Sequence, residues 1–585
     1  MRLSFSLWLA IFAHLGGTYN LLTSPEQLTP EKAYDYVIVG GGTAGSVLAA
    51  RLSEDVGNQV LLVEAGGGVE DNLNLHVPYL AGALLKSPVD WNYTSTSQPG
   101  LNNRIINIPR GHVLGGSSCI NQMAFHRPSN GTWDHWAHIM KDQSLSWKAV
   151  EKYWLKMSHL VPPVDGHDTT GEVIPSAHGY GPVNASLLSY VKQFPAKIAE
   201  TSKRSGPGKF RYNRDLNAGD TLGWSWMQAA IGGGERSCAS TAYLIPLKSS
   251  RDNLDVLINT QGLRLLNVAR DGEIPDMRAV EVGVNSTSPK FKVIASKEVI
   301  VSSGFVGTPK ILTLSGIGPQ PELQRLGIDT VVDSPDVGMH LKDHMLLPII
   351  FNSKTNDTND DLNRNQTLRQ ESLNQWLTMR TGPFVNSASH SVAYLRVPYS
   401  FSDSEPDPAN GAGSGHVEII GQPATGYYST LTAALVAPLS EGNITLLSSD
   451  PFAAPKINPN YFGHEFDRTA FVQVMKHILE FAHLSPLSSI VGALYAPVAN
   501  ATTDADLLAY ARASAVSEDH GSHTARMSPY GANWGVVDPD HKVKKVKGLR
   551  VIDASAFPTI PNVHTQVAVY ILAERAAALI RGLTT

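Results

Sequence analysis

Two cysteines in 585 residues, Cys119 and Cys238, are too few for a disulfide scaffold or an all-cysteine metal site. They allow a single bridge, which the sequence neither requires nor excludes. Charge is also sparse, at 17% of residues with a formal net charge of −5. The basic face needed to hold a nucleic-acid backbone is therefore missing. The densest basic run, Lys542, Lys544, Lys545 and Lys547, lies between turn signals and reads as a solvated loop. Beyond the N-terminus no stretch is long and apolar enough for a membrane helix, and no internal repeat is found. The length exceeds what one ordinary core supports, so two or more domains are expected.

What the chain does contain begins with Arg2, the apolar run Leu3 to Leu15 and the small residues Gly16, Gly17 and Thr18. This pattern predicts a secretory signal peptide over 1–18. Asn-X-Ser/Thr sites at Asn92, Asn130, Asn184, Asn285, Asn356, Asn365, Asn443 and Asn500 agree with it and predict a secreted glycoprotein carrying N-glycans.

Next comes a strand–turn–helix–strand pattern: Tyr34 to Val39 is β-rich, Ala44 to Ser53 has helical spacing, and Val60 to Val63 is a short apolar run. Between the first strand and the helix stands Gly40-Gly41-Gly42-Thr43-Ala44-Gly45, a G-x-G-x-x-G. Gly40 permits the tight turn, Gly42 lets backbone approach a pyrophosphate, and Gly45 allows close helix packing. The helix start at Thr43 and Ala44 offers free N–H groups to phosphates. Glu64, at the end of the next strand, stands where a ribose-binding carboxylate belongs. This motif alone does not separate FAD from NAD. Further along, Leu254 to Asn259, Lys292 to Val301 and Leu549 to Ile552 read as strands. Leu362 to Met379 and Phe466 to Leu484 read as helices, Ser400 to Gly415 as a surface loop, and Gln566 to Ile580 as a strongly amphipathic helix.

Three further stretches resemble the glucose–methanol–choline (GMC) oxidoreductases. They are Gly111-His112-Val113-Leu114-Gly115-Gly116-Ser117-Ser118-Cys119-Ile120-Asn121, the run Gly304 to Gly318, and Pro335-Asp336-Val337-Gly338-Met339-His340-Leu341-Lys342-Asp343-His344. Asp90-Trp91-Asn92-Tyr93, Ser240 to Leu244 and Pro561 to Gln566 lean towards the fungal aryl-alcohol oxidase branch. The resemblance implies an α/β FAD-binding domain of Rossmann-like βαβ type, drawn from 33–150, 231–344 and 531–585. It also implies an α+β substrate domain from 151–230 and 345–530, an antiparallel sheet capped by helices. Cofactor contacts are implied at Ala65, Trp91, Gly115, Ser117, Ser118, Asn121, Asp553, Ala554, Thr565 and Gln566, besides the glycine motif and Glu64. Ile120 stands where some relatives carry a flavin-linking histidine, so FAD is expected to be noncovalent. His112 and Phe305 depart from the signatures without removing a reactive group.

Oxidising an alcohol needs a base for the hydroxyl proton and an acceptor for the hydride. Histidine suits the first task because its pKa lies near working pH, and a flavin supplies the second. His520 matches the family's catalytic histidine and His564 the second active-site histidine. His523 stands where aryl-alcohol oxidases have glycine. A metal pair of His520 with His523 lacks a third ligand nearby, so no metal is expected, and His523 is expected to pack near the flavin or tune the base. His126, His344 and His541 read as structural or surface histidines. Asp519 and Gln122 replace the aromatic residues of those oxidases, which predicts a more polar pocket for a polyol, furan alcohol or hydroxylated metabolite. Molecular oxygen or a quinone is the expected electron acceptor. Two rival readings are a GMC-fold enzyme that closes a ring or dehydrates without net redox, and a flavin-free secreted binding glycoprotein.

Overall fold

The computed structural model describes residues 19–583 apart from 30–31, 249, 273, 403–404, 424–427 and 496–497; the predicted signal segment lies outside the described residues. Strand β1 is Asn20–Leu22, β2 Tyr34–Val39, helix α1 Thr43–Leu52 and β3 Val60–Val63. They are followed by β4 Leu254–Leu257, β5 Gln261–Leu266, β6 Ala279–Gly283, β7 Phe291–Val301 and helix α2 Gly304–Leu314. The sheet order is β1-β4-β3-β2-β7-β6-β5. β1 to β4 and the second half of β7 run parallel, and β3 is buried at every residue. Such continuous apolar runs are what a parallel sheet covered on both faces requires. Between β2 and α1, Gly40 takes φ +105°, and a Cβ on Gly45 would lie 1.9 Å from the Gly40 carbonyl oxygen. Only glycine permits this approach of helix to strand.

The next strands build a second, antiparallel sheet. β8 is Met345–Ser353, helices α3 and α4 are Asp360–Arg364 and Gln366–Met379, and β9, β10 and β11 are Ser391–Leu395, Val417–Pro423 and Tyr428–Leu435. Helix α5 is Glu465–Ala482, and β12 and β13 are Val491–Leu494 and Val516–Ser517. The order is β9-β10-β11-β8-β12, with β13 also paired to β8. Alternation decides the two faces. Leu347 and Ile419 pack with Phe471 and Met475 of α5, whereas Leu346, Ile420 and Gln422 face a cleft towards the first sheet. The single helix expected over Leu362 to Met379 is two helices, because the Asn365 side chain accepts from the Leu368 N–H and starts α4 afresh. No helix or strand forms over 400–415 among its described residues.

The chain then returns to the first sheet. β14, Leu549–Val551, pairs with the end of β7, and helix α6, Gln566–Ile580, packs on α1. α6 is buried on all sides rather than amphipathic, with every residue from Val567 to Ala578 inside. The charges that suggested a wet face are paired internally. Glu574 meets Arg51 of α1 at 2.8 Å, Lys156 at 3.2 Å and the Tyr243 hydroxyl at 2.9 Å. Arg575 donates to the Pro539 carbonyl and the Ser144 hydroxyl. Cys119 and Cys238 form a disulfide. No helix among the described residues is long and apolar enough to cross a membrane.

Candidate active site

One cleft runs between the two sheets, from the glycine turn to the histidine pair. Its lining includes Gly40, Gly42, Thr43, Ala44, Glu64, Ala65, Trp91, Ser117, Ser118, Asn121, His520, Asp553, Ala554, His564, Thr565 and Gln566. Of the expected site residues only Gly45 and Gly115 stay out of the wall. Gly45 packs on Gly40. Gly115, at φ +94°, donates its N–H to the Gly41 carbonyl and has no room for a side chain against Cys119. The cleft's empty space, open solvent included, is about 2080 Å³.

The nucleotide end fits a dinucleotide. Gly42 begins α1 with no side-chain cap, so the first helical N–H groups are available to phosphate. Gly116 approaches so closely that a Cβ there would lie 2.6 Å from the Gly42 Cα. Glu64 accepts from the Gly41 and Gly66 N–H groups, each at 2.8 Å, and burial pushes its pKa up to about 7. Its carboxylate has further lone pairs for a ribose hydroxyl. Asp553 accepts from Gly304 N–H at 2.9 Å, the Thr308 hydroxyl at 2.6 Å and Ser555 N–H at 2.7 Å, fastening the start of α2 beside the cleft. Asn121 donates to Gln566 at 3.1 Å across the start of α6. Trp91 stacks on Tyr93 and meets the His112 ring at 4.3 Å, so the departure at His112 supports an aromatic wall. Phe305 lies against Gly521, where any Cβ would strike its ring, and under the Arg110 guanidinium. Ile120 lines the cleft with an alkyl chain that cannot attach a flavin.

At the other end the His520 and His564 rings stand 4.9 Å apart, centroid to centroid, with perpendicular planes. The segment carrying His520 is held by Asp343. This buried carboxylate accepts from the His520 N–H at 2.9 Å and from the Ser517 and Tyr461 hydroxyls, each at 2.5 Å. His344 Nδ1 lies 3.0 Å from His520 Nδ1, and Glu418 lies 3.0 Å from His564 Nε2. Glu518 reaches towards both members of the pair, 3.8 Å from His520 and 3.9 Å from His564. Two sets therefore converge, His126 with Glu418 and His564, and His344 with Glu518 and His520; within each, the ligand-type atoms lie within 4.8 Å of one another.

Burial sets the electrostatics. It holds the His520 pKa well below the ordinary histidine value, with His564 and His344 adding to the effect, and brings His344 down to about 3. Glu518 is pushed well above the carboxylate range by burial and then by the neighbouring Glu418 and Asp343. Asp519 is raised to about 8 by burial, against the opposing pull of Arg110, which donates to the Asp519 carbonyl. The result is a neutral His520 imidazole beside His564, with carboxyl groups behind the two rings, an arrangement that can take up a proton. Asp519 and Gln122 both line the cleft and put polar groups in that part of its wall.

His523 departs from expectation. It is buried outside the cleft lining, among Lys342, Glu441, Arg526 and His340, so it contributes nothing to the wall near His520. Its φ of +79° explains why glycine suits the position in other sequences. Sequence reasoning passed over Asp343, Glu418 and Glu518 as site residues and read His126 and His344 as structural or surface histidines, whereas these two rings stand against His564 and His520. Asp343 and His344 close the third family stretch and were marked by it. Glu418, inside a strand, carried no signal.

The GMC oxidoreductase family models match residues 34–346 and 438–573. Pyranose dehydrogenase 3 of Leucoagaricus meleagris is 36% identical over 588 residues, covering 96% of each chain. A mutant of the formate oxidase of Aspergillus oryzae, solved to study FAD modification, superposes with a TM-score of 0.85 at 28% identity, covering 95% of this chain and 99% of the other. A fungal aryl-alcohol oxidase superposes with a TM-score of 0.82 at 24% identity, covering 94% and 98%, a likeness of fold.

Proposed function

The chain belongs to the GMC oxidoreductase family, FAD-dependent enzymes acting on CH–OH donors, and on that premise we propose that it oxidises a sugar or another polar alcohol, with His520 as the base. When bound, FAD accepts the hydride. His520, kept neutral, takes the hydroxyl proton. His564, held by Glu418 at 3.0 Å, hydrogen-bonds the substrate oxygen and shares that proton. Glu418, 3.0 Å from His564 Nε2, lies beside the positive charge that then appears. The start of α6, at Thr565 and Gln566, brings its positive dipole end to the same cleft. The observation that carries the reading is the perpendicular His520–His564 pair, 4.9 Å apart, at one end of a cleft whose other end is the glycine turn.

The polar wall at Asp519 and Gln122 and the pyranose dehydrogenase relative favour a sugar over a benzylic alcohol. The word dehydrogenase in that relative's name favours a quinone-type acceptor over oxygen. Secretion and N-glycosylation form part of the same reading, supported by exposed sequons at Asn92, Asn285, Asn356, Asn365 and Asn500. So does a division into an FAD side from 33–150, 231–344 and 531–585 and a substrate side from 151–230 and 345–530. The test is an anaerobic panel of sugars and alcohols added to the purified holoenzyme. Bleaching of the flavin band by a sugar is the expected result. A band that no CH–OH compound bleaches would overturn the reading.

A further inference from the structure

Arg236 closes a short hairpin, Ile231–Gly232 with Glu235–Arg236, and lies 2% exposed behind the cleft wall. Among the described residues no carboxylate pairs with it. Its neighbour Glu235 is engaged elsewhere, by His76 at 3.2 Å and Arg380 at 3.8 Å. The ionisable group that faces Arg236 is the Tyr570 phenol, which burial raises above its ordinary pKa and so keeps neutral.

The guanidinium is also under-used as a donor. Nη1 gives to the Asn121 carbonyl at 2.8 Å, the Asn121 side-chain oxygen at 2.9 Å and the Ser118 carbonyl at 3.4 Å, whereas Nε and Nη2 have no partner. A charge withdrawn from water without a counterion is one of the most costly things a core can hold. Burial brings its pKa down to about 9, so the charge persists at neutral pH.

Asn121 shows where that charge is felt. It lines the cleft, and its amide donates to the Gln566 side chain at 3.1 Å. Gln566 stands two residues after His564 and opens α6. Arg236 therefore grips the wall at the histidine end of the cleft rather than at the glycine turn. This is the end where hydride is handed over. A hydride brings two electrons and one proton, so the group that receives it gains one negative charge. A fixed positive charge behind the wall favours that change and needs no rearrangement when it happens.

We propose that Arg236 is a tuning residue for the cofactor: it positions Asn121 against the start of α6 and supplies an unpaired positive charge that favours the reduced, more negative form of bound FAD. The proposal rests on FAD binding and not on which alcohol is oxidised. The test is the midpoint potential of the bound flavin, measured without substrate by equilibrating the holoenzyme with a reference dye during slow reduction. Arg236→Gln keeps a donor for Asn121 and removes the charge. Its equilibrium constant for reduction is expected to fall about tenfold or more, the scale of one unit charge inside a protein, which is about 30 mV for a two-electron couple. Arg236→Lys, which restores a cation, is expected to recover at least about half of that shift. An Arg236→Gln constant within about twofold of the parent would overturn the proposal, because an arginine needed for folding alone moves stability and not potential. If Arg236→Gln does not fold, the parent decides: a bound potential above that of free FAD means the reduced form is held more tightly and sustains the proposal, and one at or below it ends it.

Discussion

Nδ1 of His344 stands 3.0 Å from Nδ1 of His520, with the two rings perpendicular. One nitrogen must donate. A base that takes a substrate proton at Nε2 carries its own proton on Nδ1, which makes His344 Nδ1 the acceptor. His520 then donates from Nδ1, and its Nε2 keeps an open lone pair for a substrate proton. His344 thus fixes the tautomer of the base.

His520→Ala is expected to keep its yellow colour and lose ~10²–10⁴-fold in the rate of anaerobic flavin reduction by substrate, the usual cost of one positioned base. His344→Ala loses orientation rather than the base, and its loss is smaller, on the order of tenfold. Stopped-flow absorbance compares the two. Equal rates in His344→Ala and the parent would remove the tautomer assignment.

Asp519 carries a pKa raised to about 8 by burial, so its carboxyl is neutral below that pH and charged above it. A new negative charge in the cleft wall then perturbs binding, and kcat/KM is expected to change near pH 8 in the parent and to lose that inflection in Asp519→Asn. Stability has a matching sign. Between the ordinary carboxylate value and about 8 the folded state holds a proton that the unfolded chain has released, so this group lowers stability progressively as pH rises. Thermal unfolding of Asp519→Asn across that range should show a shallower decline.

Gly45→Val places a side chain where 1.9 Å separates an ideal Cβ from the Gly40 carbonyl oxygen. Any relief moves α1 off β2 and spoils the phosphate turn. The expected product is a protein that binds little FAD, measured by the ratio of flavin to protein absorbance.

Glu574 is fully buried and neutralises Arg51 between α6 and α1. Glu574→Ala leaves the Arg51 guanidinium with Glu54 alone, at 2.7 Å, and the buried Tyr243 hydroxyl without its acceptor, a change expected to cost about 1–3 kcal/mol. Calorimetry should show a clearly lowered unfolding temperature at unchanged flavin content of the surviving folded fraction.

Cys119 and Cys238 are joined, so the protein denatured without reductant should show no thiol reactive to Ellman's reagent, and two after reduction.

Local chemistry made much of this molecule legible in its sequence. Tyr34–Val39, the glycine turn and Val60–Val63 are read correctly because a parallel βαβ unit needs those residue types in that order. Apart from the Asn365 cap that splits α3 from α4, the errors come mainly from packing between distant segments. Helix α6 looked half wet because Glu574 and Arg575 break its apolar run, yet partners far away in sequence take both charges inside. Glu418, Glu518 and His126 come from a β10 strand, a loop and a turn, and only the folded chain sets them beside the histidine pair. His523 was expected to pack near the flavin or tune the base, but it is buried among Lys342, Glu441, Arg526 and His340, outside the cleft lining.

Strand β7 pairs in parallel with both β2 and β14, and the cleft takes Thr565 and Gln566 from the last element of the chain. A polypeptide still emerging from the ribosome has the glycine turn but neither His564 nor the helix that covers α1. A chain that stops upstream of α6 is therefore expected to lack one wall of the flavin cleft, however well the rest of it is made.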